Sequence, residues 1–221
     1  MIKAVMFDLD GTIADTNELI FKSFRHTFHT HGIDHVADAE IYSFFGEPLH
    51  NTMHRYAPDQ AKELTDTYRD YNAIHHDELI RHFPMVKETL NQLIGMGLLL
   101  GIVTSKRGSV AQKSLDALNL TSFFKVIVTP ELTVKHKPEP DPVLRGAELL
   151  GVLPNEAIMV GDSPYDLLAG RAAGCITCGV EYTRLDLNVL LQTNPDYMIS
   201  DVSQIIGIIQ QLNQDEEALN I

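Results

Sequence analysis

Cysteine is scarce in this chain of 221 residues, which holds only Cys175 and Cys178. Two thiols make no disulfide framework and cannot complete a structural zinc site. Both are expected to be buried strand residues, with a redox pair as the alternative. Basic residues are few as well: seventeen Lys and Arg stand against thirty Asp and Glu, a formal net charge of −13. Such a chain lacks the basic face that displaces phosphate counterions, which argues against nucleic acid and anionic membrane surfaces as partners. Long apolar runs are missing too. The longest, Leu93 to Val103, has eleven residues, below the ~18 of a membrane span. The opening Met1-Ile2-Lys3-Ala4 shows no charged region followed by a separate apolar one, as a secretory signal would. The expected location is the cytoplasm. Finally, no Gly-x-x-x-x-Gly-Lys-Ser/Thr sequence occurs, which excludes a P-loop as phosphate cradle.

What is present is an ordinary globular composition, 44% hydrophobic and 21% charged, on a chain long enough for one large domain or one domain with an insertion. Three short apolar runs each end in polar residues: Ile2 to Phe7 before Asp8, Leu98 to Val103 before Thr104, and Ala157 to Val160 before Gly161-Asp162. Near-continuous apolar strands suit a parallel sheet covered on both faces. Helical spacing runs from Pro84 to Met96 and from Ser109 to Leu120, and Asp141-Pro142 opens a helix to about Leu150. Further strands are expected at Val126 to Val128 and Ile176 to Val180, and a last helix at Val202 to Leu212. Acidic Asp215-Glu216-Glu217 is expected to be a solvated tail. Alternating strands and helices predict an α/β, doubly wound, mainly parallel Rossmann-like sheet.

Residues 16–80 break the alternation. They carry helical stretches, Glu18 to His29 and Gln60 to Ile80, but no convincing strand, and about 65 residues is too long for a single crossover. The expected organisation is a core of 1–15 plus 81–221 and a helical cap of 16–80 inserted after the first strand.

In Asp8-Leu9-Asp10-Gly11-Thr12 the strand period of two sends both carboxylates to one side, at the carboxyl end of the first strand, where open α/β sheets bind ligands. Adjacent carboxylates repel unless a cation or a proton lies between them, so the pair predicts a divalent metal or a shared proton. Gly11 lets the chain turn sharply beside a ligand. Gly161-Asp162-Ser163-Pro164-Tyr165-Asp166 adds carboxylates at the same edge, an oxygen set that suits Mg²⁺; Asp162 or Ser163 alternatively caps the following helix. Thr104-Ser105 ends a third strand, as a phosphate-binding hydroxyl and amide or as a helix cap. Lys137 sits in a proline-stiffened loop, from which its ammonium can neutralise a phosphoryl group and keep a carboxylate ionised. Carboxylates, hydroxyl, lysine and Mg²⁺ together suit phosphoryl transfer through an aspartyl phosphate.

With these four motifs in this order (Asp8 to Thr12, Val103-Thr104-Ser105, Lys137-Pro138-Glu139-Pro140, Gly161 to Asp166), the sequence resembles the haloacid dehalogenase superfamily over essentially its whole length. The insert after the first motif looks like the superfamily's helical cap of the first class. The nearest resemblance is to the phosphoglycolate phosphatase and pyrophosphatase group. The stretch Thr67-Tyr68-Arg69, with Asn72, His76-Asp77 and Thr16-Asn17-Glu18-Leu19-Ile20, resembles the bacterial pyrophosphatase branch. The resemblance implies that Asp8 attacks phosphorus, and that Mg²⁺ binds the Asp8 carboxylate, the Asp10 main-chain carbonyl and the Asp162 carboxylate. It implies that Asp10 protonates the leaving group and then activates water, that Thr104 and the Ser105 amide bind phosphoryl oxygens, and that Lys137 clamps Asp8 and phosphate. Asp166 supports the metal waters or Lys137. An aspartate at position 10 favours phosphoryl transfer over dehalogenation, which does not use that acid.

The partner implied is a small phosphorylated anion, with pyrophosphate first, 2-phosphoglycolate or another small monoester second, and a sugar phosphomutase as a further alternative. A receiver module of a response regulator is opposed by length and insertion, and a catalytically dead binding protein by the retention of every core motif. The sequence sets no oligomeric state. Pyrophosphate calls for cations, for which Arg69, Lys22, Arg25 and Arg55 are candidates in the insert, and Lys106 and Arg107 lie nearer the phosphate site. Lys106 and Arg69 join Asp8, Gly11, Thr104, Ser105 and Lys137 as expected substrate contacts. The loop Gly46-Glu47-Pro48-Leu49 looks like a cap specificity loop, in which Glu47 faces solvent or pairs with an arginine. Nine of the ten histidines fall between His26 and His82. They are expected on polar helix faces, with a binding role for His76 beside Asp77 as the alternative.

Overall fold

The computed structural model describes residues 1–219. In chain order its elements are β1 (Ala4–Phe7), β2 (Ala14–Asp15), α1 (Asn17–Thr30), α2 (Asp38–Tyr42), α3 (Leu49–Tyr56), α4 (Ala61–Leu79), β3 (Arg81–His82), α5 (Val86–Gly95), β4 (Leu99–Val103), α6 (Gly108–Ala117), β5 (Val126–Val128), α7 (Asp141–Leu150), β6 (Ala157–Gly161), α8 (Pro164–Ala173), β7 (Ile176–Val180), α9 (Leu187–Leu191), β8 (Tyr197–Ile199) and α10 (Gln204–Leu219). Six strands form one parallel sheet in the order β5-β4-β1-β6-β7-β8, with Ala4 paired to both Leu99 and Ala157. The chain starts in the middle and winds outward first one way, then the other. A crevice therefore opens where the winding reverses, beyond the ends of β1 and β6.

The apolar strands are buried on both faces because successive side chains point to opposite sides. Val5 and Phe7 join one cluster with Leu90 and Leu93 of α5, Leu115 of α6 and Ile205 and Ile209 of α10. Ala4 and Met6 join another with Val143 and Ala147 of α7 and Ala169 of α8. The helices α1 to α4 enclose a third cluster of their own, built on Phe24, Phe28, Ile41, Phe44, Met53 and Leu64. Their stacked and edge-on rings, such as Phe24 against Phe44 at 5.5 Å, give it a fixed geometry. The antiparallel pair β2 and β3 ties the entry of this helical segment to its exit.

Several expectations need correction. The helix expected to reach Leu120 ends at Ala117, because Asn119 takes a left-handed backbone, φ 54°. The acidic stretch 215–217 is exposed, as expected of a solvated segment, but it belongs to α10 rather than to a tail beyond it. That helix is anchored by buried Ile205 and Ile209, by the Ile2 amide donating to Asn213 Oδ1 at 2.6 Å, and by the Met1 ammonium paired with Glu216. Strands β2, β3 and β8 have no counterpart in the sequence reading; none exceeds three residues, too few to show a period. Both cysteines are free and buried. No helix among the described residues is long and apolar enough to cross a membrane.

Candidate active site

Asp8 follows β1 directly, its amide bonded to the Val160 carbonyl at 2.9 Å, so the end of β1 lies beside the end of β6 and Asp162. Gly11, with φ 78°, lies against the Asp162 side chain. A Cβ there would stand 2.1 Å from Asp162 Oδ2, so no other residue fits.

The buried centre is a charge network. Lys137 Nζ donates to Asp8 Oδ1 at 2.6 Å, to Asp166 Oδ1 at 2.5 Å and to the Val103 carbonyl at 2.9 Å. Asp166 in turn accepts from the Ser163 amide at 3.0 Å and the Ser163 hydroxyl at 2.6 Å. It thus caps α8 through one oxygen and holds the lysine through the other, so one residue of the motif serves both capping and the charge network. Burial alone would push the Lys137 ammonium down, but the carboxylates of Asp166 and Asp8 outweigh it and hold it above its ordinary value. Asp8 is pushed up to about 7, by burial first, while Lys137 opposes the shift and Asp166 and Asp10 add to it. Asp162 is likewise raised by burial and by the repulsion of Asp166 and Asp8.

Oxygens of Asp8, Asp162 and Asp166 lie within 4.8 Å of one another. Lys137 and Ser163 claim Asp166. Among the described residues Asp162 accepts a side-chain hydrogen bond from the Thr183 hydroxyl alone, at 3.4 Å, and one oxygen of Asp8 is unclaimed. Two buried carboxylates with open oxygens, each held back from ionising by burial first and then by neighbouring carboxylates, form a donor set that fits a hard divalent cation.

Asp10 departs from the expected geometry. The strand ends at Phe7, so the period of two does not extend to it, and its carboxylate stands outside the cluster of three although its charge reaches Asp8 and Asp162. Its Oδ1 accepts from the Thr16 hydroxyl at 2.7 Å and from Lys106 Nζ at 2.6 Å, leaving Oδ2 open for proton transfer. Thr104 and Ser105 line one cleft with Lys137 and His136. The Thr104 hydroxyl accepts the Lys106 amide at 3.1 Å, which seats the Lys106 backbone beside it.

The insert contributes differently from the charge argument. Arg69 lies on the exposed side of α4 and its charge acts on Asp66. One residue earlier the helix turns by about 100°, and Tyr68 faces inward against Phe24 at 4.8 Å. Burial raises its hydroxyl pKa first and the Asp10 carboxylate raises it further. The other expected cations are paired inside the helical segment: Lys22 with Glu18 at 2.7 Å, Arg25 with Asp38, and Arg55 with Glu47 at 2.5 Å. Glu47 therefore takes the arginine-paired course. The rings of His50 and His54 stack at 5.9 Å, whereas His76 is fully buried rather than on a polar face. Thr183 and His136 were not singled out by the sequence, nor were Thr16 and Tyr68, which stood in quoted stretches; a search for cations passed Tyr68 over. Ser163, a candidate cap in the sequence, takes that place.

A model of haloacid dehalogenase-like hydrolases matches residues 5–180. A Clostridium perfringens protein provisionally named pyrophosphatase PpaX is 43% identical over 96% of this chain and all of its own length. The pyrophosphatase PpaX of Bacillus cereus is 37% identical over 96% of this chain and 99% of its own. Among solved structures, a haloacid dehalogenase-like hydrolase from Streptococcus pneumoniae superposes with a TM-score of 0.85 at 26% identity, covering 94% of this chain and 98% of that one. With a doubly wound sheet, four motifs at its crevice and relatives that match end to end, the chain belongs to the haloacid dehalogenase-like hydrolases and is one of their phosphatases.

Proposed function

We propose that the chain hydrolyses inorganic pyrophosphate with Mg²⁺, through a phosphoryl group carried transiently on Asp8. The observation that carries the chemistry is the pair of buried carboxylates, Asp8 and Asp162, with open oxygens beside an Asp10 whose second oxygen is free. The names of the curated relatives support pyrophosphate as the substrate.

The carboxylates of Asp8 and Asp162 and the Asp10 main-chain carbonyl would hold the Mg²⁺, which when bound would supply the positive charge that favours an ionised Asp8 beside a phosphoryl group. Lys137 fixes one oxygen of Asp8, so that the other is directed toward the substrate. Thr104, the Ser105 amide and Lys137 bind the phosphoryl oxygens and neutralise charge as it spreads over them. As the Asp8 oxygen–phosphorus bond forms and the bond to the leaving oxygen breaks, Asp10 passes a proton to that oxygen. Asp10, now a carboxylate, takes a proton from water; the hydroxide attacks phosphorus, releasing phosphate and restoring Asp8. Gly11 leaves room for the Asp162 side chain that this needs. Lys106 neutralises the leaving group, and Asp166 acts through Lys137. Arg69 serves as a peripheral attracting charge.

Within this reading residues 1–15 plus 81–221 form the catalytic core and 16–80 a cap that selects the leaving group, as their separate apolar cluster supports. The test is phosphate release with Mg²⁺ from pyrophosphate, 2-phosphoglycolate, p-nitrophenyl phosphate and a hexose phosphate, with Asp8→Asn as the blank. The expected result is the highest kcat/KM for pyrophosphate and none for the variant. A preference for phosphoglycolate keeps the mechanism and moves the substrate; full activity in Asp8→Asn removes the covalent step.

A further inference from the structure

A line of hydrogen bonds runs from the surface of the helical segment to Asp10. Asp77 Oδ1 lies 2.6 Å from His76 Nδ1, His76 Nε2 lies 2.8 Å from Ser114 Oγ on α6, Lys106 Nζ lies 3.3 Å from that oxygen, and the same Nζ lies 2.6 Å from Asp10 Oδ1. Polarity fixes its direction. Burial keeps the imidazole pKa low, so His76 is neutral near pH 7 with one N–H. The Asp77 carboxylate can only accept, which assigns that N–H to Nδ1 and leaves Nε2 as acceptor for the Ser114 hydroxyl. Ser114 then turns a lone pair toward the Lys106 ammonium. Were the hydroxyl turned to its alternative acceptor, the Val110 carbonyl at 3.0 Å, His76 Nε2 would be left buried without a partner, which is costly.

We propose that His76 and Ser114 are positioning residues: they hold the Lys106 ammonium on Asp10, so that a residue of the helical segment sets how well Asp10 hands its proton to the leaving group. The proposal rests on the acid–base reading of Asp10. Asp77, His76 and Ser114 stand in the order of a nucleophilic triad, but Ser114 is fully buried and its hydroxyl is committed on both sides, so no substrate carbon or phosphorus reaches it. What the line does is constrain a flexible four-carbon side chain. Lys106 is only 12% exposed, and without Ser114 its ammonium keeps one described anchor instead of two.

The discriminating readout is leaving-group dependence, because a merely structural residue lowers all rates alike. kcat and KM are measured with Mg²⁺ for phenyl phosphate and p-nitrophenyl phosphate, which differ in the basicity of the departing oxygen far more than in shape. His76→Phe removes the acceptor and His76→Gln keeps an amide oxygen near the Nε2 position. The expected result for His76→Phe is a fall of about tenfold in kcat on phenyl phosphate, a part of the 10²–10⁴ that an acid contributes, with p-nitrophenyl phosphate within about twofold, KM little changed, and recovery in His76→Gln. Should His76→Phe fail to fold, Ser114→Ala makes the same cut with a smaller change of volume. Asp10→Asn is measured alongside. If it steepens the dependence while His76→Phe and Ser114→Ala lower both substrates equally or not at all, the positioning role is overturned and the acid stands. If Asp10→Asn leaves the dependence unchanged, the acid–base reading itself falls, and this proposal with it.

Discussion

Gly46, in the loop between α2 and α3, rests on Ser163 at the start of α8: a Cβ built on Gly46 would stand 2.7 Å from Ser163 Cβ. With φ 82° its backbone is also in the left-handed region, where an L side chain costs about 1–2 kcal/mol. The loop thus sits against the start of α8, whose Ser163 bonds Asp166.

Gly46→Ala should therefore hold the helical segment off the crevice. The expected outcome is a drop of about tenfold or more in kcat/KM, out of proportion to the modest loss in Tm, since a misplacement of an ångström or so in a closing element costs that much. Kinetics set beside thermal melts check this. A loss of Tm with unchanged kinetics would mean that the contact is structural only.

Lys137→Met leaves Asp8 and Asp166 buried without their cation. Breaking a buried pair in this way costs about 3–5 kcal/mol. Activity should vanish and the denaturant midpoint fall; Asp166→Asn added to Lys137→Met should return part of the stability and none of the activity. If the single variant melts like the native chain, the network carries no net stabilising charge interaction.

Mg²⁺ removal should matter more at high pH. The raised Asp8, near 7 against an ordinary 3.8, and the raised Asp162 hold protons in the folded chain that they release when unfolded. The stability this contributes is present below about pH 4 and is lost as pH rises through about 7. A bound cation reverses that loss by favouring the ionised forms. The Tm difference between Mg²⁺ and chelator should therefore be larger at pH 8 than at pH 5.5, and equal differences would mean that the ion lies elsewhere.

Cys175 and Cys178 are both pushed up to about 12 by burial. Neither should react with a thiol-specific disulfide reagent at pH 8 until the chain unfolds, when both should. Rapid labelling of the folded protein would revive the redox pair.

The centre of the site was legible in the sequence because a parallel sheet brings every strand's carboxyl end to one edge. Asp8, Thr104 and Asp162 each follow an apolar run, so locating the runs located the crevice. Lys137 stood out through its proline-flanked loop. What escaped was decided by angles and long-range packing. Asp10 escaped the strand period because β1 stops at Phe7, one residue before the motif begins. A choice made on charge favoured Arg69, whereas the helix phase set by Phe24 turns Tyr68 inward. His76 and Ser114 lie on different elements, and neither carries a local signal of its partner. The strand pair β2 and β3 joins residues far apart in sequence and is two residues long, too short for any pattern.

The central place of β1 has a consequence for how the molecule is made. Its partners are Leu99 to Ile102 on one side and Ala157 to Val160 on the other, so β1 is made well before either of them and has no strand to pair with until Leu99 is reached. The helices 17–79, whose contacts are mostly with each other, can assemble meanwhile. During synthesis, then, these helices precede most of the sheet, and an exposed apolar strand waits for closure over long loops, the slow step expected of such connectivity.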